Sequence, residues 1–344
     1  VSTALGMRTG YRNARCIASP PPSRYVLRML VACLFVAAAS AVPQEPPVRA
    51  LVVTGANNHD WQWTAPEIAR ALAETGRFAV DVTEEPARAL VGAPARHAAG
   101  ELDVLVLDYN GPRWGEAAEQ GFLDAVRAGC GVVVLHAANN AFPGWTDYER
   151  LVGHLWREGT GHGAYHPFDV HVVDHDHPVT RGMADLRQHP DELYHRLVFA
   201  PGADHRVLLS AYSDPQTRGT GRFEPMATAG SFGAGRVFHT PLGHVWRGVA
   251  QSRATWADPQ LRRLVARGAE WAATGVVTLS PTPLNTLSEA ERKDGFELLF
   301  DGRSLAQWSA FRGDAPPARG WVVRDAAIVH EAGGGGSGLH VEPV

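Results

Sequence analysis

Cys130-Gly131-Val132-Val133-Val134-Leu135-His136-Ala137-Ala138-Asn139-Asn140 is the stretch on which the fold turns. Val132 to Leu135 form an uninterrupted apolar run, mostly valine, that stops at a histidine. A strand with one wet face would alternate apolar and polar residues. A short β-branched run without alternation predicts a strand covered on both faces, as in the middle of a parallel sheet. Open α/β sheets bind ligands in the crevice outside the carboxyl ends of their strands. His136 is therefore expected at a site edge.

Working outward, Val48 to Thr54 reads as a second buried strand, followed by the polar loop Gly55-Ala56-Asn57-Asn58-His59-Asp60-Trp61. Thr64 stands three residues ahead of Glu67, a capping-box spacing, with Pro66 between them, which predicts a helix start there. Ile68, Ala71 and Leu72 share its apolar face, and Gly76 is the expected stop. Phe78 to Val82 and Asp103 to Leu107 are further strands, the latter ending in Asp108-Tyr109-Asn110-Gly111, and Ala117 to Ala128 has helical apolar spacing. This alternation predicts a doubly wound parallel α/β sheet.

Beyond Asn140 the chain becomes loop-rich, with a helix expected near Tyr148 to Val152, and nine of the 16 histidines fall between His154 and His205. Strand-like pieces recur at Phe168–Val173, Arg206–Ala211, Pro225–Thr228 and Arg236–His239, and Leu261 to Ala273 reads as a closing helix. Residues 276–294 carry prolines and read as a linker. Residues 295–344 switch to short strands and glycine turns, the expected start of an incomplete all-β segment.

The chain has 344 residues and a net charge of -4, with 32 Lys+Arg against 36 Asp+Glu, so nothing in it draws nucleic acid or an anionic membrane. Arg24 and Arg28 flank an apolar run, Met29 to Ala39, that ends in Ala39-Ser40-Ala41, a small-x-small cleavage pattern. Residues 1–41 are thus expected to be a signal peptide with an upstream segment. The protein is expected to be exported, to the periplasm or outside the cell, with no membrane span in the mature chain. Cys16 and Cys33 would leave with the leader, and Cys130 alone cannot form an intramolecular disulfide.

Convergence of strand ends supplies the candidate chemistry. Asn57, Asn58, His59 and Asp60 follow the first strand, Asp108 and Asn110 the third, and His136, Asn139 and Asn140 the fourth. His162, His166, Glu192, Tyr194 and His244 arrive from later loops. Histidines with carboxylates serve acid–base work or bind a metal. His136 and His59 are the expected catalytic acid or base, with Asp60, Asp108 and Glu192 to orient or ionise them. His59, His136, His162 and His166 are the candidate ligands for a divalent ion such as Zn²⁺, although no H-E-x-x-H or tight C-x-x-C spacing is present. The plainer alternative is histidines bonded to backbone at strand ends and turns. Asp174-His175-Asp176-His177-Pro178 looks metal-like but also reads as a natural turn.

Asn58, Trp61, Asp108, Asn110, Trp145, Tyr194 and His244 are the expected substrate contacts. Indole faces stack on sugar rings, and Asn, Asp and His bond hydroxyls, so a small carbohydrate suits these residue types. The competing reading has Trp61, Trp63, Trp114 and Trp145 filling loop cores. No G-x-S-x-G elbow or phosphate loop is present.

Residues 49–275 resemble a trehalose-utilisation (ThuA-like) domain. The resemblance rests on Leu51-Val52-Val53-Thr54-Gly55 with Asn58-His59-Asp60-Trp61, and on Val133-Val134-Leu135-His136-Ala137-Ala138. It continues in Gly161-His162-Gly163 with Tyr165-His166-Pro167-Phe168, in Asp191-Glu192-Leu193-Tyr194, and in Pro241-Leu242-Gly243-His244. It implies a flavodoxin-like fold similar to class I glutamine amidotransferases. Those place a cysteine after the central strand. His136 holds that place here and Cys130 precedes the strand, so amidotransferase chemistry is not expected. Residues 295–344 resemble the opening of a 3-keto-disaccharide hydrolase domain, a jelly roll, through Leu299-Phe300-Asp301-Gly302, Leu305, Trp308 and Gly320-Trp321. Together the resemblances imply an exported carbohydrate-processing protein that hydrolyses or otherwise cleaves a disaccharide or its 3-keto derivative. The alternatives are a non-catalytic sugar-binding module and a scaffold for the β domain.

Overall fold

The computed structural model describes residues 46–344 except 284, 288, 294, 303, 311–318, 325–326, 332–338 and 341–344. The expected leader and its cleavage site lie outside the described residues. The chain enters on β1 (Val48–Val53), which is buried except at Arg49. There follow α1 (Trp61–Ala73), β2 (Phe78–Thr83), the short helices α2 (Pro86–Ala89) and α3 (Ala93–Ala98), β3 (Val104–Leu107), α4 (Glu116–Arg127), β4 (Gly131–Leu135) and α5 (Thr146–Val152). Every residue of β3 and β4 is buried, as their unalternated runs require.

The second half runs through β5 (His154–Leu155), β6 (Gly161–Val172), β7 (Leu186–His195), β8 (Val198–Phe199), β9 (His205–Ser213), β10 (Arg222–Phe232) and β11 (Gly235–Thr240), then α6 (Ala254–Ala257) and α7 (Pro259–Thr274). Nine strands form one sheet in the order β2-β1-β3-β4-β11-β10-β9-β6-β7. From β2 to β11 neighbours are parallel, and from β11 to β7 they are antiparallel. The doubly wound flavodoxin-like half is thus extended by an antiparallel half. β6 begins at Gly161, well before the strand expected from Phe168. Gly-His-Gly-Ala-Tyr-His-Pro has no apolar alternation to reveal it. Its pairing to β7, Gly161 opposite His195 and Tyr165 opposite Glu192, holds it as strand.

Helices cover both faces. On one side α1, α6 and α7 pack Ile68, Leu72, Trp256 and Leu264 against Val52, Val106 and Phe238. On the other, α4 and α5 pack Phe122, Tyr148 and Leu151 against Leu51, Leu105 and Val134. α7 crosses β4 so closely that a Cβ at Gly131 would lie 2.4 Å from the Ala272 carbonyl carbon. Backbone on both sides leaves no flexible end to yield. Gly131→Ala is expected to cost about 1–3 kcal/mol, seen as a lower urea midpoint at unchanged slope.

The capping-box expectation fails. α1 starts at Trp61, with Asp60 at the N-cap making no side-chain cap bond. The Thr64 hydroxyl instead donates to Asp108 Oδ2 at 2.6 Å, a buried tertiary partner that outcompetes the local one. Toward the C-terminus, α8 (Glu289–Lys293) falls in the stretch read as linker. It is followed by small two-stranded pairs: β12 (Ser309–Ala310) with β15 (Leu339–His340), and β13 (Trp321–Arg324) with β14 (Ala327–His330). No helix among the described residues is long and apolar enough to cross a membrane.

Candidate functional site

β4 ends at Leu135, and the chain turns at once into a 3-10 segment, His136–Asn140. The turn puts His136 at φ +45°, a region that bulky residues enter only when the surroundings hold them there. What holds it is a hydrogen bond from the ring: Nδ1 lies 2.7 Å from the Pro241 carbonyl. A carbonyl can only accept, so Nδ1 carries the proton and Nε2 presents a lone pair.

His59 is fixed in the same sense. Asn57 Oδ1 accepts the His59 backbone N–H at 3.0 Å and lies 3.2 Å from His59 Nδ1, while Asn57 Nδ2 donates to Asp108 Oδ1 at 3.0 Å. With the Asn57 oxygen facing it, His59 Nδ1 is the donor and Nε2 is bare. The two bare Nε2 atoms face each other at 3.3 Å. They cannot hydrogen-bond to each other, because neither has a hydrogen. His244 brings its Nδ1 to 3.1 Å from His136 Nε2, and ligand atoms of His59, His136 and His244 all lie within 4.8 Å of one another.

Burial keeps these rings neutral. His136 is held well below the ordinary histidine value by burial, then by His59 and His244. Burial and then His162 bring His59 down to about 4, and burial with His59 and His162 brings His244 to about 3. Neutral imidazoles are the form that binds a metal ion.

Around them stand an acid and a phenol. Glu192 Oε2 is 3.1 Å from His162 Nδ1 and 3.4 Å from His244 Nδ1, and its Oε1 accepts from the Trp246 indole at 3.3 Å. Burial raises the Glu192 carboxyl, against the opposing pull of His162. The Tyr194 hydroxyl lies 2.9 Å from His136 Nε2. These groups open onto a cavity of about 250 Å³ lined by Asn58, His59, Ala137, Asn140, Trp156, His162, Glu192, Tyr194 and Trp246.

Of the expected site residues, the structure gathers His59, His136, Glu192, Tyr194, His244, Asn58 and His162 here. Asp108 and Asn110 stand behind the wall. Asp108 reaches His59 through Asn57, and burial pushes its carboxyl up to about 7 against the hydrogen bonds of Thr64 and Asn57. Asn110 exchanges hydrogen bonds with Asn58, at 2.6 Å and 3.1 Å. Four of the expected residues are placed away from the cavity. Asp60 pairs with Arg253 at 3.4 Å, and neither it nor Trp61 lines the cavity. Trp145 stacks on Tyr148 at 5.4 Å and meets Trp114 at 6.0 Å within the α4–α5 core, because Phe142 and Tyr148 offer it an apolar seat. His166 bonds to the Ala164 carbonyl at 2.7 Å, on a strand whose bulge between His162 and Tyr165 breaks their common spacing.

His244 thus completes the triad in which His162 and His166 were expected. The Asp174–Pro178 stretch is a turn: Asp174 Oδ1 accepts from the N–H groups of Asp176 and His177. Sequence reasoning passed over Asn57 as a histidine partner, and over Trp156 and Trp246, which form the aromatic walls. Trp246 follows His244 by two residues, the one local cue to it. Trp156 lies edge-on to Tyr194 with ring centres 4.5 Å apart.

A flavodoxin-like α/β domain with a histidine-lined cavity at the carboxyl edge of its central strands is the class that fold and site define. The chain belongs to the trehalose utilisation (ThuA) family, which matches it over residues 49–272, and so carries a carbohydrate-related domain. It is similar to a ThuA-like protein from Parabacteroides merdae, with 33% identity over 71% of this chain and 96% of that one, at a TM-score of 0.62. A ThuA-like protein from Bacteroides uniformis shares the fold, with 18% identity over 70% of this chain and 98% of that one and a TM-score of 0.51. No curated protein matches the chain.

Proposed function

We propose that the domain is a divalent-metal-dependent enzyme acting on a small carbohydrate, with His59, His136 and His244 as the ligands. The observation that carries this is the pair of lone-pair nitrogens turned toward each other at 3.3 Å with a third imidazole beside them. Each fixed tautomer, one against a carbonyl and one against an amide oxygen, matches the outer hydrogen bonds that metal-bound histidines make. Zn²⁺ or a similar ion on three neutral imidazoles would polarise a carbonyl or hydroxyl oxygen of the substrate.

The chain's own groups supply the rest. Glu192, raised by burial, is the base for a proton α to a sugar carbonyl, and Tyr194 donates to the oxygen that gains charge. The enolate so formed expels the glycosidic oxygen from the next carbon, that oxygen takes up the proton held on Glu192, and water then adds to the resulting unsaturated ketone, so cleavage of a 3-keto-disaccharide needs no paired glycosidase carboxylates. Trp156 and Trp246 flank the ring. In the same reading residues 295–344 belong to a unit like that of 3-keto-disaccharide hydrolases, supported by Leu299-Phe300-Asp301-Gly302 and Gly320-Trp321. The protein is exported, supported by Arg24, Arg28 and the run Met29 to Ala39.

The test is the metal content of the untagged protein together with turnover of 3-keto-disaccharides, followed as released reducing sugar. Near-stoichiometric divalent metal and metal-dependent release are expected. A protein that takes up no ion from added Zn²⁺ or Mn²⁺ overturns the metal reading. Saturable sugar binding without release makes it a binding module.

A further inference from the structure

Behind the loop that delivers His244 lies a set of ionisable groups that the proposed reaction does not use. His189 and Asp191 are fully buried, at 0% exposure. Asp258 caps α7, its Oδ1 accepting from the Gln260 N–H at 2.8 Å. Its Oδ2 lies 2.6 Å from His189 Nδ1, and His189 Nε2 lies 3.3 Å from Asp191 Oδ2. One imidazole therefore donates to a carboxylate at each end. Asp191 turns its remaining capacity onto backbone. Oδ2 accepts the Gly243 N–H at 2.7 Å, and Oδ1 accepts the N–H groups of Glu192 at 2.7 Å and His244 at 3.3 Å. From α6, the Trp256 indole donates to the Gly243 carbonyl at 3.1 Å.

Gly243 sits at φ +119°, a backbone region that only glycine enters freely. Left alone, such a residue is the point about which the loop would swing. Here both of its peptide groups are held by buried partners, and the next residue is the ligand. We propose that Asp258, His189 and Asp191 form a positioning relay that fixes the direction of His244 and so the geometry of the three-imidazole site. The proposal rests on the metal reading above. Metal–ligand bonds tolerate about 0.2 Å of error, so a small swing at Gly243 takes His244 Nδ1 out of range. Loss of outer partners of this kind costs about 10–100-fold in metal affinity.

The experiment uses the full chain with His189→Leu and the milder Asp258→Asn, which keeps an oxygen for the α7 cap. Val126→Ala, in the α4 core remote from the loop, is the control for lost stability. Co²⁺ affinity is read by competition with a chromophoric chelator, and site geometry by the visible Co²⁺ spectrum. The relay variants are expected to bind about 10–100-fold more weakly with an altered spectrum, while Val126→Ala keeps both. Either relay variant, folded and with wild-type affinity and spectrum, overturns the proposal. If His189→Leu does not fold, Asp258→Asn decides. If the wild type binds no Co²⁺, the metal reading falls by itself. Hydrogen exchange at the Gly243 and His244 amides then judges the relay: faster exchange than in Val126→Ala upholds it, and equal exchange overturns it.

Discussion

His136→Ala is expected to weaken divalent-metal binding by about two to three orders of magnitude. Structural zinc sites with four ligands hold their ion with about 10–16 kcal/mol, so each ligand contributes roughly 3–4 kcal/mol, which is that ratio in Kd. His136 is central to the group, with its Nε2 within 3.3 Å of His59, His244 and Tyr194. The variant removes the nitrogen and leaves β4 intact, so its urea midpoint reports that the fold persists. Calorimetric titration with Zn²⁺ measures the change. Equal affinity in the two proteins would assign the metal to another part of the chain.

Stability is expected to fall as pH rises toward 10, and His189 is the reason. Burial opposes charging this ring, but the hydrogen bonds to Asp191 and Asp258 outweigh it and raise His189 from 6.5 to about 9. The native state therefore holds a proton that the unfolded chain gives up. The stabilisation is complete below the unfolded value near 6.5 and is lost as pH climbs through about 9. Over that interval it amounts to something on the order of 3 kcal/mol. Urea unfolding at pH 6, 8 and 10, for wild type and His189→Leu, measures it. The wild type should lose stability across the series and the variant should show a flatter profile. Parallel slopes would mean that another group titrates.

The half of the molecule that the sequence reveals is the half that obeys a simple solvent rule. β3 and β4 are buried on both faces, so their composition is apolar throughout and their ends are visible as the first polar residues. Asp108 and His136 stand out for that reason. The antiparallel half mixes buried and exposed positions with histidine, proline and glycine, and β6 is held by pairing more than by its own residues. The trade of His244 for His162 and His166 could not be read locally either. The Gly243–His244 backbone is held by Asp191, half a hundred residues earlier in the chain. Trp145 and Thr64 depart from the expectation because a tertiary partner, Trp114 in one case and Asp108 in the other, takes the side chain that local pattern assigns elsewhere.

The position of β11 has a consequence for how the protein comes into being. The last strand of the sheet to be synthesised lies between β4 and β10, and its pairing joins the parallel and antiparallel halves of the sheet. Until Gly235–Thr240 has left the ribosome, the emerging chain carries two unfinished sheets, each with an open edge of the kind that pairs with the wrong partner. The residue that completes the imidazole triad, His244, follows a few positions later. Closure of the sheet and completion of the triad are thus nearly one event in synthesis, and a nascent chain that stalls before it has neither a continuous sheet nor a site.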